Sequence, residues 1–185
     1  MTKEQTFVAQ KSIDSERGQT TYTIEIEGRP ITIVLTATAR ENTLRVTLPS
    51  GSMLGEVTRH DLQGEVRRHA RFPGKSSCIQ TVRGHEGGWQ LAHSHAQIHE
   101  HYFVESGRVC LVKLLSGKNL RGVFYGPGEE FSVHPDVIHT LYVFAKTTFV
   151  TTKCHGPTND WIAAPELDTL THLLSEEELL RRFRT

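Results

Sequence analysis

Two histidines spaced two residues apart, His93 and His95, are the side chains of this chain best suited to chemistry. On a β-strand, residues i and i+2 project from the same face, so both imidazoles face one side. Glu100 follows after a short turn, and His139 can add a fourth ligand from a later strand. Nitrogen and oxygen donors of this kind suit a divalent transition metal. The predicted metal ligands are therefore His93, His95, Glu100 and His139.

These residues lie in a longer pattern, Gly-x5-His-x-His-x4-Glu-x6-Gly, which begins at Gly87 and ends at Gly107. The pattern resembles the first motif of the cupin superfamily and matches it at every defined position. The resemblance implies a metal ion bound inside the mouth of a β-barrel.

The second motif of that superfamily, Gly-x5-Pro-x-Gly-x2-His-x3-Asn, is matched at Gly128 and His139. His134 stands at the proline position, with Pro135 one place later, and Asp136 and Val143 stand at the second glycine and the asparagine. The resemblance spans roughly residues 75–153. It implies an all-β fold, a cupin-type β-barrel or jelly roll.

At 185 residues the chain is expected to form one domain with a substantial core. We expect N-terminal strands in residues 1–74, the motif core in 75–153 and a helical tail in 165–185. Period-two alternation predicts strands over residues 21–27, 31–35 and 43–48. Residues 59–75, rich in arginine, are predicted to form a solvated loop, or alternatively a phosphate-binding edge.

A short C-terminal helix is predicted from Ser175 to Arg184. Ser175 can cap it, and Glu178 completes a capping box three residues later. Acidic residues lead and arginines trail, as the helix dipole prefers. Leu179, Leu180 and Phe183 form an apolar face that must pack on the barrel or on a partner chain.

Charge and cysteine content limit the range of functions. Lys and Arg together number 21, as do Asp and Glu, so the formal net charge is zero and no nucleic-acid partner is expected. The absence of charge repulsion favours a homodimer. The three cysteines have no Cys-x-x-Cys spacing, and no window of about 18 apolar residues is present, so a cytoplasmic protein without membrane contact is expected.

Three further residues are candidates for roles near the metal. Tyr102 lies two residues after Glu100 and should face the same interior, as a general acid or base or as a core aromatic. His134 could act as an acid/base group at the rim of the barrel. His99, adjacent to Glu100, is the alternative ligand, but the motif spacing favours Glu100.

The predicted site suggests one divalent ion, with Fe favoured over Mn, Ni, Co and Zn, and with open positions for a small-molecule substrate. The resemblance implies an enzyme acting on a small oxygenated metabolite, of the non-haem Fe(II) dioxygenase type or an isomerase, epimerase or lyase. The alternatives are a non-catalytic binding or sensing module and a purely structural metal.

Overall fold

A computed structural model describes residues 9–14, 19–26, 29–37, 41–47, 53–62, 64–72, 76–154 and 160–183. The chain divides into two compact units. The first comprises Met1–Asp61 with Arg68–Gly74, and the second comprises Leu62–Arg67 with Lys75–Thr185. The organisation of the chain as a single domain stays a prediction.

The first unit contains an antiparallel meander in which each strand pairs with the next along the chain. Its strands are β1 (Ala9–Asp14), β2 (Gln19–Ile26), β3 (Arg29–Ala37), β4 (Glu41–Thr47) and β5 (Met53–Leu62). The three strands predicted from alternation are confirmed as β2, β3 and β4. The last predicted residues of two of them, Glu27 and Leu48, lie outside the described part of the chain.

The loop predicted for residues 59–75 is wrong. Its first residues continue β5, and most of the rest form β6 (Glu65–Phe72). Gly64 turns the chain just before β6 with a φ of 77°, in the left-handed region that glycine adopts freely. The arginines misled the prediction because strand positions that remain exposed, such as Arg68, accept charged side chains as readily as loops do.

The second unit contains two antiparallel sheets. In one sheet the strand order is β7 (Ser76–Arg83), β15 (Thr148–Cys154), β10 (His99–Ser106) and β13 (Glu130–Val133). In the other the order is β12 (Leu120–Tyr125), β11 (Val109–Leu114), β14 (His139–Val143), β9 (His93–His95) and β16 (Trp161–Ala163), with β8 (Gly88–Trp89) also paired to β14. A 3-10 turn spans Ser116–Lys118.

The main core of this unit is built from both sheets. Strand β10 alternates exposed and buried residues from His99 to Val104, so one of its faces is buried. The core residues are Tyr102, Val104, Val109, Leu111, Phe131, Val133, Leu141, Val143 and Phe149. All-β architecture with a buried interior of this kind confirms the predicted fold class.

Two short helices cover a second apolar cluster. They are α1 (Pro165–Thr171) and α2 (Glu176–Arg182), and their buried residues Leu167 and Leu179 pack with Cys110, Val112 and Tyr142 of β11 and β14. Because β14 is thereby covered on both faces, all five of its residues are buried. No helix among the described residues is long and apolar enough to cross a membrane.

The predicted cap of the last helix is present. Ser175 Oγ accepts a hydrogen bond from the Glu178 backbone N–H at 3.2 Å, and Glu178 Oε2 accepts one from the Ser175 N–H at 2.9 Å. Tyr142 also donates its hydroxyl proton to Glu176 Oε2 at 3.0 Å. This bond ties the start of α2 to β14, the strand on which His139 lies.

Candidate metal centre

The two sheets of the second unit bring the four predicted ligands together. His93 and His95 project from β9, His139 is the first residue of β14, and Glu100 lies on β10 of the other sheet. His139 stands directly opposite His93 in the β9–β14 pair. His95, Glu100 and His139 are buried, and the side chain of His93 is 13% exposed. The candidate site is therefore a mostly enclosed point between the sheets.

Main-chain carbonyl oxygens determine which ring nitrogen carries the proton in each of the three imidazoles. Nδ1 lies 3.0 Å from a main-chain carbonyl oxygen in every case: Leu91 for His93, Asp160 for His95 and Val137 for His139. A carbonyl oxygen can only accept, so Nδ1 must carry the proton. In each neutral ring Nε2 then holds a free lone pair, which is the form a metal requires.

The three Nε2 atoms converge on the carboxylate of Glu100. His139 Nε2 lies 2.9 Å and His93 Nε2 3.7 Å from Glu100 Oε2, and His95 Nε2 lies 3.3 Å from Oε1. Ligand atoms of His93, Glu100 and His139 all fall within 4.8 Å of one another. The structure thus brings together the residues predicted as ligands, and their assignment as ligands stays a prediction.

Burial and charge act on these groups in opposite directions. Burial alone would raise the pKa of Glu100, but the adjacent imidazoles of His139, His93 and His95 and the nearby Lys153 charge lower it well below its usual range. Burial lowers the pKa of His93, and the neighbouring Glu100 only partly offsets this. The electrostatics therefore favour an ionised carboxylate and a neutral His93, the protonation states that bind a metal.

Lys153 is part of the site, and sequence reasoning missed it. Its Nζ lies 2.8 Å from Glu100 Oε1 and donates to His95 Nε2 at 3.2 Å. Lys153 is the cross-strand neighbour of Glu100 in the β10–β15 pair. Nothing in the local sequence signals this contact, because it depends on strand pairing between residues far apart in the chain.

Asp160 was also missed. Its backbone carbonyl orients His95, and its Oδ2 accepts the N–H groups of Gln97 at 2.7 Å and Ile98 at 3.0 Å. Backbone hydrogen bonds, chiefly that of Gln97, lower the pKa of this carboxyl. Asp160 therefore orients one ligand and also caps the turn that separates His95 from Glu100.

Tyr102 reaches the site as predicted and is at the same time a core aromatic. Its ring stacks on Phe131 with centroids 4.6 Å apart, and its hydroxyl donates to Glu100 Oε2 at 3.0 Å. Burial first, and then the Glu100 charge and hydrogen bond, raise the pKa of Tyr102 well above its ordinary value. The phenol is therefore a proton-bearing donor that holds the carboxylate in place.

His134 is placed elsewhere. It is exposed, and its Nδ1 lies 3.3 Å from Nδ1 of His99, which faces away from the buried side of β10. His101 shares that outer face, within 3.0 Å of Ser132 Oγ. The structure thus separates His99 and His134 from the four converging residues, and the catalytic role predicted for His134 stays a prediction.

Two residues of the motifs fix the backbone around the site. Gly107 has a φ of 77°, and a Cβ there would clash with Thr147, whose hydroxyl bridges the N–H and carbonyl of Arg108 at 2.9 and 3.0 Å. Asp136 has a φ of 62°, a conformation that aspartate tolerates better than most residues. Its N–H donates to the carbonyl of His95 at 2.7 Å. Asp136 thus makes the turn for which the motif has glycine.

A cavity of about 260 Å³ opens beside the centre. Polar and apolar side chains share its wall. The lining residues are Arg67, Ile79, Thr81, Gln90, Leu91, His93, Glu100, Tyr102, Phe149, Thr151, Lys153 and Trp161. The cavity is slightly smaller than typical ligand pockets, and His93 and Glu100 form part of its wall.

Comparison with known proteins supports the fold. No family model matches the chain, and no curated protein matches it. Among solved structures, oxalate decarboxylase from Bacillus subtilis matches with 13% identity, a TM-score of 0.50 and coverage of 67% of this chain and 33% of that one. A second structure of that protein, from work on its Mn(II) centres, matches with 12% identity, a TM-score of 0.50 and coverage of 69% and 37%.

A Streptomyces PAC13 variant with uridine is also similar, at 14% identity and a TM-score of 0.48, over 57% of this chain and 82% of that one. The chain spans about a third of the length of the oxalate decarboxylases it matches. The oxalate decarboxylase matches support a cupin-type all-β fold, which is the fold that the resemblance implied.

Proposed function

We propose that this protein is a mononuclear divalent-metal enzyme that acts on a small oxygenated metabolite. One observation carries the proposal: the Nε2 lone pairs of His93 and His139 converge on one buried carboxylate, and His95 Nε2 lies 3.3 Å from its other oxygen. Lone pairs and a carboxylate repel one another unless a cation or a proton lies among them. His93, His95, Glu100 and His139 would hold that cation.

The unsatisfied atoms of the site fit a metal. His93 Nε2 is buried and has no hydrogen-bond partner among the described residues. Buried polar atoms are nearly always paired, so an orphaned lone pair at the centre of the cluster calls for a ligand. Lys153 Nζ contacts Glu100 Oε1 and His95 Nε2, so it does not satisfy His93 Nε2.

The donor set suits Fe, Mn, Ni, Co or Zn, and iron is our first expectation. Manganese gains support from the Mn(II) centres of the similar oxalate decarboxylase. When bound, such an ion supplies Lewis acidity towards a substrate oxygen or, if it is Fe(II), dioxygen chemistry. The reaction would then be of the dioxygenase type, or an isomerisation, epimerisation or elimination.

The protein's own side chains would position the substrate. Tyr102 keeps its proton and holds Glu100 through the 3.0 Å hydrogen bond. Phe149 and Ile79 give the cavity an apolar wall that excludes water from part of the site. The ammonium group of Lys153 lies on the same wall, where it would interact with a substrate oxygen.

Elemental analysis of untagged protein, purified without oxygen, tests the proposal. We expect close to one equivalent of a single transition metal per chain. Iron would direct assays to oxygen consumption with small diols and acids, and the other four metals would direct them to isomerase and lyase assays. Absence of bound metal after reconstitution with each ion would refute the proposal in favour of a non-catalytic module.

Metal retention should fall with pH in a defined window. A proton competes with the metal for Nε2, and because burial lowers the pKa of His93, that competition begins below the ordinary histidine value of about 6.5. We expect release between about pH 6 and pH 4.5, measured as metal content after equilibrium dialysis. The exposed His101, replaced by alanine, should leave the curve unchanged. Full retention at pH 4.5 would contradict the histidine ligand set.

A further inference from the structure

We propose that the cavity beside the centre binds a small carboxylate with an apolar or aromatic body, and that Lys153 and Arg67 recognise its anionic group. The inference rests on the proposed function insofar as this ligand would be the substrate of the same site. Its support comes from the charges, an unsatisfied donor and the apolar surface of the cavity wall.

The wall carries more positive than negative charge. Its cations are Arg67 and Lys153, and its one acidic residue is Glu100. The Glu100 carboxylate is already shared among Lys153, Tyr102 and the histidines. It cannot also neutralise Arg67, so the cavity presents a net positive surface to a ligand.

Arg67 is only partly neutralised from outside the cavity. Its Nη2 pairs with Glu65 Oε1, but Glu65 Oε2 also faces Arg83 Nη1 at 3.4 Å. One carboxylate thus serves two guanidinium groups. In addition, Arg67 Nε is buried and has no hydrogen-bond partner among the described residues. An N–H donor left in this state needs an acceptor, and a ligand oxygen would supply it.

Lys153 has a donor to spare. An ammonium group carries three N–H bonds, and Glu100 Oε1 and His95 Nε2 account for two of them. The Lys153 side chain is 20% exposed. Among the described residues the third N–H has no acceptor, so it can meet a carboxylate oxygen next to the point where His93, Glu100 and His139 converge.

The rest of the wall fits an apolar ligand body. Leu91 and Trp161 line the cavity and are 63% and 46% exposed, so both offer apolar surface to a ligand. The Trp161 ring is stacked on His93 with centroids 5.6 Å apart, so it lies against one of the predicted ligands. A flat apolar group would cover this surface while the carboxylate meets the cations.

Calorimetric titration with three probes of similar size tests the proposal: benzoate, benzamide and benzylammonium. Metal-loaded and metal-free protein are compared in parallel. We expect benzoate to bind at least about tenfold more tightly than benzamide in both forms, and benzylammonium not to bind. Equal binding of benzoate and benzamide, or a preference for the cation, would overturn the proposal.

Substitutions of Lys153 and Arg67 test the contribution of each cation to benzoate binding independently of the metal. Lys153→Met and Arg67→Met should each weaken benzoate binding at least about tenfold and leave benzamide unchanged. Lys153→Arg should retain most of the preference, and Arg121→Met, at an exposed position, should have no effect. Thermal unfolding confirms that each variant is folded.

The two proposals can fail separately. If the protein holds no metal but the metal-free form still prefers benzoate, the proposed function fails and the anion site stands. If the metal binds and neither cation variant changes benzoate affinity, the anion site fails and the metal centre stands.

Discussion

Glu100→Ala is expected to abolish tight metal binding. Glu100 is the one acidic residue of the centre, and the three imidazoles all converge on it. Loss of an outer partner of a metal ligand typically costs 10–100-fold in affinity, so loss of the ligand itself should cost more than about 100-fold. Competition with a chromogenic chelator measures this change.

Glu105→Ala is the matched control, because Glu105 lies on the same strand and is exposed. It should bind metal as the unmodified protein does. Circular dichroism shows whether Glu100→Ala remains folded, since the substitution leaves Lys153 without its counter-charge. A folded Glu100→Ala protein with normal metal content would rule out Glu100 as a ligand.

Leu179→Ala should be the most damaging substitution outside the site. Leu179 is fully buried where α2 packs on the second apolar cluster. Truncating a buried leucine leaves a cavity and typically costs about 2–5 kcal/mol. We expect a loss of that size in the free energy of unfolding, measured with urea.

Leu173→Ala controls for the change in side chain. Leu173 lies just before α2 and is 87% exposed, so its truncation should change stability by less than about 0.5 kcal/mol. Similar effects of the two substitutions would mean that α2 does not pack on the sheet as the structure has it.

The first motif predicted which of its residues lie close together, and their role as metal ligands stays a prediction. Its spacing placed His93 and His95 on one face and Glu100 across from them, and the structure brings these residues together with His139. The second motif did not predict the turn before His139, because Asp136 stands where the motif has a glycine. The turn survives because aspartate tolerates the left-handed conformation, which residue identity alone did not show.

Lys153 and Asp160 could not be found in the same way. Lys153 meets Glu100 through strand pairing, and Asp160 meets Gln97 across a separation of 63 residues. Both contacts are set by topology rather than by local spacing. The arginines of β6 were wrongly predicted to form a loop for a related reason. Whether a strand residue is exposed depends on which other strands pack against it, and the local sequence does not show this. The predictions of a homodimer and a cytoplasmic location stay untested.

The proton positions of all three histidines depend on main-chain oxygens, those of Leu91, Val137 and Asp160. A side-chain substitution at Leu91 therefore keeps the acceptor that orients His93. Residues of the cavity wall such as Leu91, Ile79 and Thr151 can then be exchanged by mutation without resetting the ligand tautomers. Substitutions that change what the cavity binds should therefore leave the proton positions of the three histidines, and with them the proposed metal site, unchanged.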